Sequence, residues 1–421
     1  MIGLAYIILT LLCLRLMFKR NPILIVSIGY AYLFSFGQNY LVDLTGLTEY
    51  SFNKGIVPDG MMLDSLQYAS LCSIVLALIV SVKKNLINSV SDVSYNSRQK
   101  DAVFWFASIC VFVSIVLFAL TGTGMHGTES SNGYIIRLLD ADISIMVFVV
   151  LLFFNTNKIK RRDKWLVLFY VAYSVGRGSR SSVLFISLLW IGSKIKTGDF
   201  SALKLSRILR KYYLVLFLGI FVYIGGNYFR ITNSYGYISL NMLMETINLQ
   251  MIVNISNRFG DLDILSAILN SHFVNDYNND EIFDRILILK ETVNSFLPGS
   301  LFANNYESAE KVFPYHFRGF DKDMLHAEHW TLFGASYAKT KSKILGLGVS
   351  VLSIVQLIAF YMIARRFIFD RTLQAVWDVI FSMVILSGFI STGSPVATYS
   401  VILRYLLVLT PLSLIKGRVR E

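Results

Sequence analysis

ILGLGVSVLSIVQLIAFYMIARRFIFDR, residues 344–371, is the stretch on which the reading of this chain turns. Residues 344–364 carry no charge, and Arg365, Arg366 and Arg371 follow at once. A helix crossing the hydrocarbon core of a bilayer needs roughly 20 mostly apolar residues. Lys and Arg close to the end of such a run hold that end on the cytoplasmic side. The stretch therefore reads as a membrane span that finishes inside.

The same pattern recurs along the chain. Apolar runs at 2–18, 23–42, 61–82, 102–120, 142–154, 165–176, 181–193, 212–226, 344–364, 375–390 and 399–415 give about eleven expected spans. Those between 142 and 193 are short. The expected fold class is all-α: a polytopic integral membrane protein with about 11 transmembrane helices. Composition agrees, since 55% of the 421 residues are hydrophobic and only 16% are charged, where a soluble domain is nearer a quarter charged. Mean hydropathy is +0.57. The chain divides into spans one to eight (1–226), a long connecting lobe (227–343) and spans nine to eleven (344–421).

Charge tests the topology. Linkers expected inside hold, with Arg15, 24 basic and 7 acidic residues, whereas the outward side holds 15 basic and 20 acidic ones. That asymmetry puts the N-terminus outside and the C-terminus inside. The net charge of +12 is thus a topology signal, and a nucleic-acid partner is not expected. The first apolar run begins at Ile2 with no basic residue before it, as in an N-out anchor rather than a cleavable signal peptide. Cys13, Cys72 and Cys110 all fall in expected spans, so neither a disulfide framework nor a metal site of recognisable spacing follows.

The outward side is where chemistry is expected. The loop TGTGMHGTESSNG (121–133) reads as flexible, and a Gly-rich run alone is a weak phosphate signal. GRGSRSS (176–182) sets Arg177 and Arg180 beside hydroxyls at the start of a helix. Free backbone N–H groups and guanidinium forks there suit an anion. The plainer alternative is two arginines anchoring at the interface. Segment 228–343 is too long for a mere connection. Within it NISNRFGDLD (254–263) brings Arg258, Asp261 and Asp263 close together, and EIFDRILILKETVNSFL (281–297) carries an apolar stripe at helical spacing. HAEHW (326–330) contributes His326, Glu328 and His329. The two histidines share a helix face, but no third ligand has diagnostic spacing, so a general base or a substrate hydrogen-bonding role ranks ahead of a metal. Arg404 is expected about five residues below the outer end of the last span, where an arginine is costly and usually faces a wet cavity. Arg15 and Asp378 are expected near inner helix ends, where snorkelling suffices.

Two stretches, GRGSRSSVL (176–184) heading a span and TLFGASYAKTKSKILGLG (331–348) leading from the long outer segment into a span, resemble the O-antigen polymerases of Gram-negative bacteria. The whole layout is similar to theirs. The resemblance implies a GT-C-like integral membrane glycosyltransferase of the bacterial inner membrane. It would join undecaprenyl-diphosphate-linked oligosaccharide repeat units on the periplasmic face, without cofactor or metal. A chain-length regulator and a flippase would be its partners, beside the lipid bilayer. For that chemistry Arg177, Arg180, Arg258 and Arg404 are the expected diphosphate ligands, with Arg230 in support, because arginine stays charged and grips phosphate bidentately. His326, His329, Glu328 and Asp261 are the expected acid–base residues. An O-antigen ligase, with the same chemistry on a different acceptor, is the nearest alternative. A lipid-linked oligosaccharide flippase or transporter is a more distant one.

Overall fold

The computed structural model describes residues 2–37, 59–82, 97–121, 141–154, 160–176, 185–186, 189–190, 193, 262–270, 289–290, 293 and 330–415. Among them there are helices and turns and no strand. The helices are α1 (Ile2–Met17), α2 (Pro22–Tyr32, continued by a π turn Leu33–Gly37), α3 (Asp59–Val82), α4 (Ser97–Thr121), α5 (Ala141–Phe154) and α6 (Arg161–Gly176). Then come α7 (Leu262–Asn270), α8 (Thr331–Thr340), α9 (Lys343–Arg366), α10 (Arg371–Ile380), a π turn Phe381–Ile385, α11 (Leu386–Thr392) and α12 (Pro395–Ser413).

Five stretches are long and apolar enough to cross a membrane: Met62–Val82, Gln99–Leu120, Lys343–Arg366, Arg371–Thr392 and Pro395–Ser413. Ile2–Met17, Pro22–Gly37 and Ala141–Phe154 are shorter apolar helices. Expected spans 181–193, in large part, 212–226 and the end of 23–42 lie outside the described residues; each of the others overlaps a helix. Large apolar side chains stand exposed along one face of several helices, among them Ile8, Leu12 and Leu16 of α1 and Trp105, Ile109 and Phe112 of α4. Rows of this size are unfavourable in water and natural against lipid chains. The protein is membrane-embedded.

Contacts divide the chain into two compact units. The first comprises Met1–Ile87, Thr246–Ile363 and Val384–Ile402. In it α1 packs on α3, α2 on α3 and α11, and the short α7 on α3 and α8. The turn between α1 and α2 is tied to the end of α3: Arg20 donates to the Ser81 carbonyl at 3.1 Å and Asn21 to the Val80 carbonyl at 2.6 Å. These bonds occupy carbonyls that a helix C-terminus otherwise leaves unpaired. Near the other end of α3, Asp64 pairs with Lys343 at the start of α9. Both ties join ends that the charge pattern assigns to one side.

The second unit comprises Asn88–Glu245, Ala364–Met383 and Leu403–Glu421. Its centre is α5, ADISIMVFVVLLFF, in which nearly every side chain is buried. A helix apolar all round with no exposed stripe belongs in a core, and α4, α6 and α10 pack around it. At 14 residues it is only about 21 Å long, at 1.5 Å per residue. The start of α6 is fixed by Asp163, which accepts from the Lys160 N–H at 3.1 Å as the third residue of a capped helix does. Asp163 is fully buried and pairs with Lys100 of α4 at 3.0 Å, while Arg162 pairs with Asp101 and lies over the Phe104 ring at 4.6 Å.

One expectation is corrected here. Asp378 does not sit at an interface within reach of water: it is buried, and Arg365 grips it through Nε–Oδ1 at 2.9 Å and Nη2–Oδ2 at 3.3 Å. The cause is that α10 begins at Arg371, so Asp378 lies two turns inside the helix rather than at its end. Removing one partner of a buried pair strands the other charge. Asp378→Asn is therefore expected to cost about 2–3 kcal/mol, short of the ~3–5 kcal/mol for a fully sequestered pair because Arg365 keeps some contact with solvent. Thermal unfolding in detergent reads this as a lowered midpoint. Arg365→Met combined with Asp378→Leu is expected to recover most of the loss, because no uncompensated charge remains.

Candidate functional site

The motif TLFGASYAKTKSKILGLG folds as a short helix, a left-handed turn and a long helix. Small residues in α8 let it approach its neighbours closely, and Thr331 through Ser336 are all buried. α8 ends where Lys341 turns left-handed (φ 54°, ψ 22°), its N–H still bonded to the Tyr337 carbonyl at 2.7 Å. Thr340 Oγ1 lies 3.0 Å from the Ser336 carbonyl and 3.1 Å from that of Ser342, bracing the turn. α9 then starts at Lys343. Ile264, Ala267 and Ile268 of α7 form one cluster with Trp330, Ala335, Ala338 and Val349, and Tyr337 donates to the Leu269 carbonyl at 3.2 Å. Two pieces of the long expected outer segment thus belong to the packed interior of the first unit. Gly346 marks the tightest helix contact there: a Cβ on it would lie 2.7 Å from the Tyr68 hydroxyl and 3.2 Å from the Tyr337 Cα.

The beginning of α8 meets the turn between α11 and α12. Gly393 has φ +70°, and a Cβ there would stand 2.2 Å from the Thr331 carbonyl oxygen and 2.5 Å from its carbon. Thr331 itself has φ 60°, a left-handed conformation that a β-branched residue rarely adopts. Its hydroxyl accepts from the Gly334 N–H at 3.3 Å. Phe36, in the π turn that ends α2, stacks on Phe333 with centroids 5.5 Å apart. Backbone strain of this kind, held by packing on both sides, is concentrated at functional sites. The structure here brings together two stretches that lie apart in the sequence, 331–348 and STGSPVATYS (391–400).

Of the expected site residues, Arg404 is described. It lies on α12 in the second unit and is half-buried. Its depth differs from expectation. α12 starts at Pro395, with the Ser394 hydroxyl capping the Ala397 N–H at 3.3 Å, so Arg404 is nine residues along the helix rather than about five. At 1.5 Å per residue that is roughly 14 Å from the helix start, at the middle of the apolar stretch Pro395–Ser413. Pro at the first helical position behind a Ser cap was the sequence signal for the earlier start. An arginine at that depth costs at least ~2.5–3.5 kcal/mol.

Arg177, Arg180, Arg230, Arg258, Asp261, His326, Glu328 and His329 lie outside the described residues, as do the Gly-rich loop and nearly all of the apolar stripe at 281–297. In sequence, Asp261 directly precedes α7 and His329 directly precedes Trp330, where the buried motif begins. The pairing of Asp378 with Arg365, the Thr331–Gly393 contact and the Lys100–Asp163 pair are features that local sequence reading missed. No family model, curated protein or solved structure matches the chain.

Proposed function

We propose that the protein is a membrane glycosyltransferase that lengthens a surface polysaccharide by joining lipid-linked oligosaccharide repeat units on the outer face of the bacterial inner membrane. In the transfer, a hydroxyl oxygen of one glycan bonds to the anomeric carbon of another. The bond from that carbon to the diphosphate breaks, and polyprenyl diphosphate leaves with the electron pair. The hydroxyl proton passes to a base, for which His326, His329, Glu328 and Asp261 are the candidates. Arginine is suited to the departing diphosphate because it stays charged and donates as a fork. Arg177, Arg180, Arg258, Arg230 and Arg404 are the candidate ligands, and no metal or cofactor is required.

The observation that carries this reading is Arg404, a guanidinium kept near the middle of an apolar helix at an energetic cost that packing alone does not call for. The motif joining the buried α8 to α9 supports it through the resemblance of 331–348 to the polymerases. Deleting the gene in its host tests the reading. Loss of polymerisation leaves single repeat units on finished lipopolysaccharide, whereas loss of a ligase leaves polymer accumulated on the carrier lipid. Unchanged lipopolysaccharide on gels would overturn both.

A further inference from the structure

The N-terminal half of α6, RRDKWLVLF, carries a feature that glycan transfer does not use. Arg161, Lys164, Trp165 and Leu168 line an open cavity of about 570 Å³. They stand at i, i+3, i+4 and i+7 and so share one helix face. Trp165 is 47% and Leu168 53% exposed, and Phe169 lies beside the indole with ring centroids 6.1 Å apart.

The charges around this face fall into two sets. Lys100 and Arg162 are committed to Asp163 and Asp101. Arg161 and Lys164 have no ion-pair or hydrogen-bond partner among the described residues, and both are exposed. A pair of exposed cations one turn apart, followed by an indole and then an aliphatic side chain, is ordered like a phospholipid: phosphate, glycerol backbone, acyl chain. From Arg161 to Leu168 the helix rises about 10 Å, the depth over which a bilayer passes from headgroup to hydrocarbon. Tryptophan is enriched at that boundary. The basic residues of 158–164 belong to the side expected to be cytoplasmic, where anionic lipids attract juxtamembrane cations.

We infer that this face of α6 is a binding site for one anionic glycerophospholipid, its phosphate held by Arg161 and Lys164 and its acyl chain laid over Trp165 and Leu168. A soluble anion would leave the apolar half of the cavity unused, and a zwitterionic lipid would set its own cation against the two on the protein.

Native mass spectrometry of the full-length protein in detergent, titrated with phosphatidylglycerol, tests this. One lipid is expected to remain bound at a concentration where phosphatidylethanolamine does not. Each cation contributes about fivefold, so Arg161→Gln with Lys164→Gln is expected to weaken binding about 25-fold. Either single substitution, about fivefold alone, decides the matter if the double variant fails to fold. Lys19→Gln, at another basic turn, is expected to leave binding unchanged. Equal binding of the two lipids, an unaffected Arg161 and Lys164 variant, or an equal loss with Lys19→Gln would overturn the inference. So would a polyprenyl diphosphate displacing phosphatidylglycerol one for one, since it would identify a different occupant. None of these outcomes depends on glycan transfer.

Discussion

Arg404→Met is expected to abolish chain elongation while the protein still folds into the membrane. The substitution removes a charge from the middle of α12 and replaces it with an unbranched apolar chain of similar length, which suits a helix of this hydropathy. Catalysis should not survive, because charge developing on a departing diphosphate then loses a donor in a medium where it is worth far more than in water. Removing one such donor typically costs about 10²–10³ in rate. Arg404→Lys keeps the charge but loses the planar fork, and the same order of loss is expected if the grip is bidentate. Polymer length on lipopolysaccharide gels, read beside the amount of protein in the membrane fraction, checks both. Full-length polymer from Arg404→Lys and from Arg180→Lys alike would dismiss the diphosphate grip.

Gly393→Ala should be the most damaging small substitution among the described residues. Two costs add there. An L-residue in the left-handed region costs roughly 1–2 kcal/mol. The new Cβ would also stand 2.2 Å from the Thr331 carbonyl oxygen, and the obstacle is backbone that cannot swing aside as a side chain can. Thr331 is itself in a left-handed conformation and buried, so it has little room to yield. A total of about 4 kcal/mol or more is expected, within the range reserved for strain at a special backbone position. The variant should fail to run as a single species on size exclusion. Gly388→Ala, five residues earlier with nothing within 4 Å of its would-be Cβ, should be tolerated. Equal behaviour of the two alanine variants would mean that the turn does not seat on α8 as described.

How much of this was legible beforehand depends on the reach of each signal. Long apolar runs closed by basic clusters, such as Lys343–Arg366, are visible because lipid length and charge bias act on contiguous residues. The helix α5 was expected at 142–154 and runs Ala141–Phe154, but its burial on all sides was not legible, because an apolar run reads alike whether lipid or protein surrounds it. In 331–340 the small residues were visible, but that they bury the helix against α7 depends on a partner some 65 residues away in the chain. Arg404 was recognised and its depth misjudged, because the apolar run was counted from Tyr399 while Ser394 and Pro395 start the helix earlier. Asp378 was passed over for a related reason: its proximity to a helix end was read from hydropathy, and its partner Arg365 sits across a turn that hydropathy does not see. Nothing in composition announces the π turns at Leu33–Gly37 and Phe381–Ile385. Acid–base candidates on 261–329 rest on residue type and on the resemblance alone.

Reconstitution is the most direct measurement. The purified full-length protein, placed in lipid vesicles with a polyprenyl-diphosphate-linked repeat unit as sole substrate, should yield a ladder of longer glycans on the carrier. Free polyprenyl diphosphate should appear in step, one for each bond made. Repeat units that stay single, or that cross the bilayer without any new glycosidic bond, would contradict the transferase reading and favour transport instead.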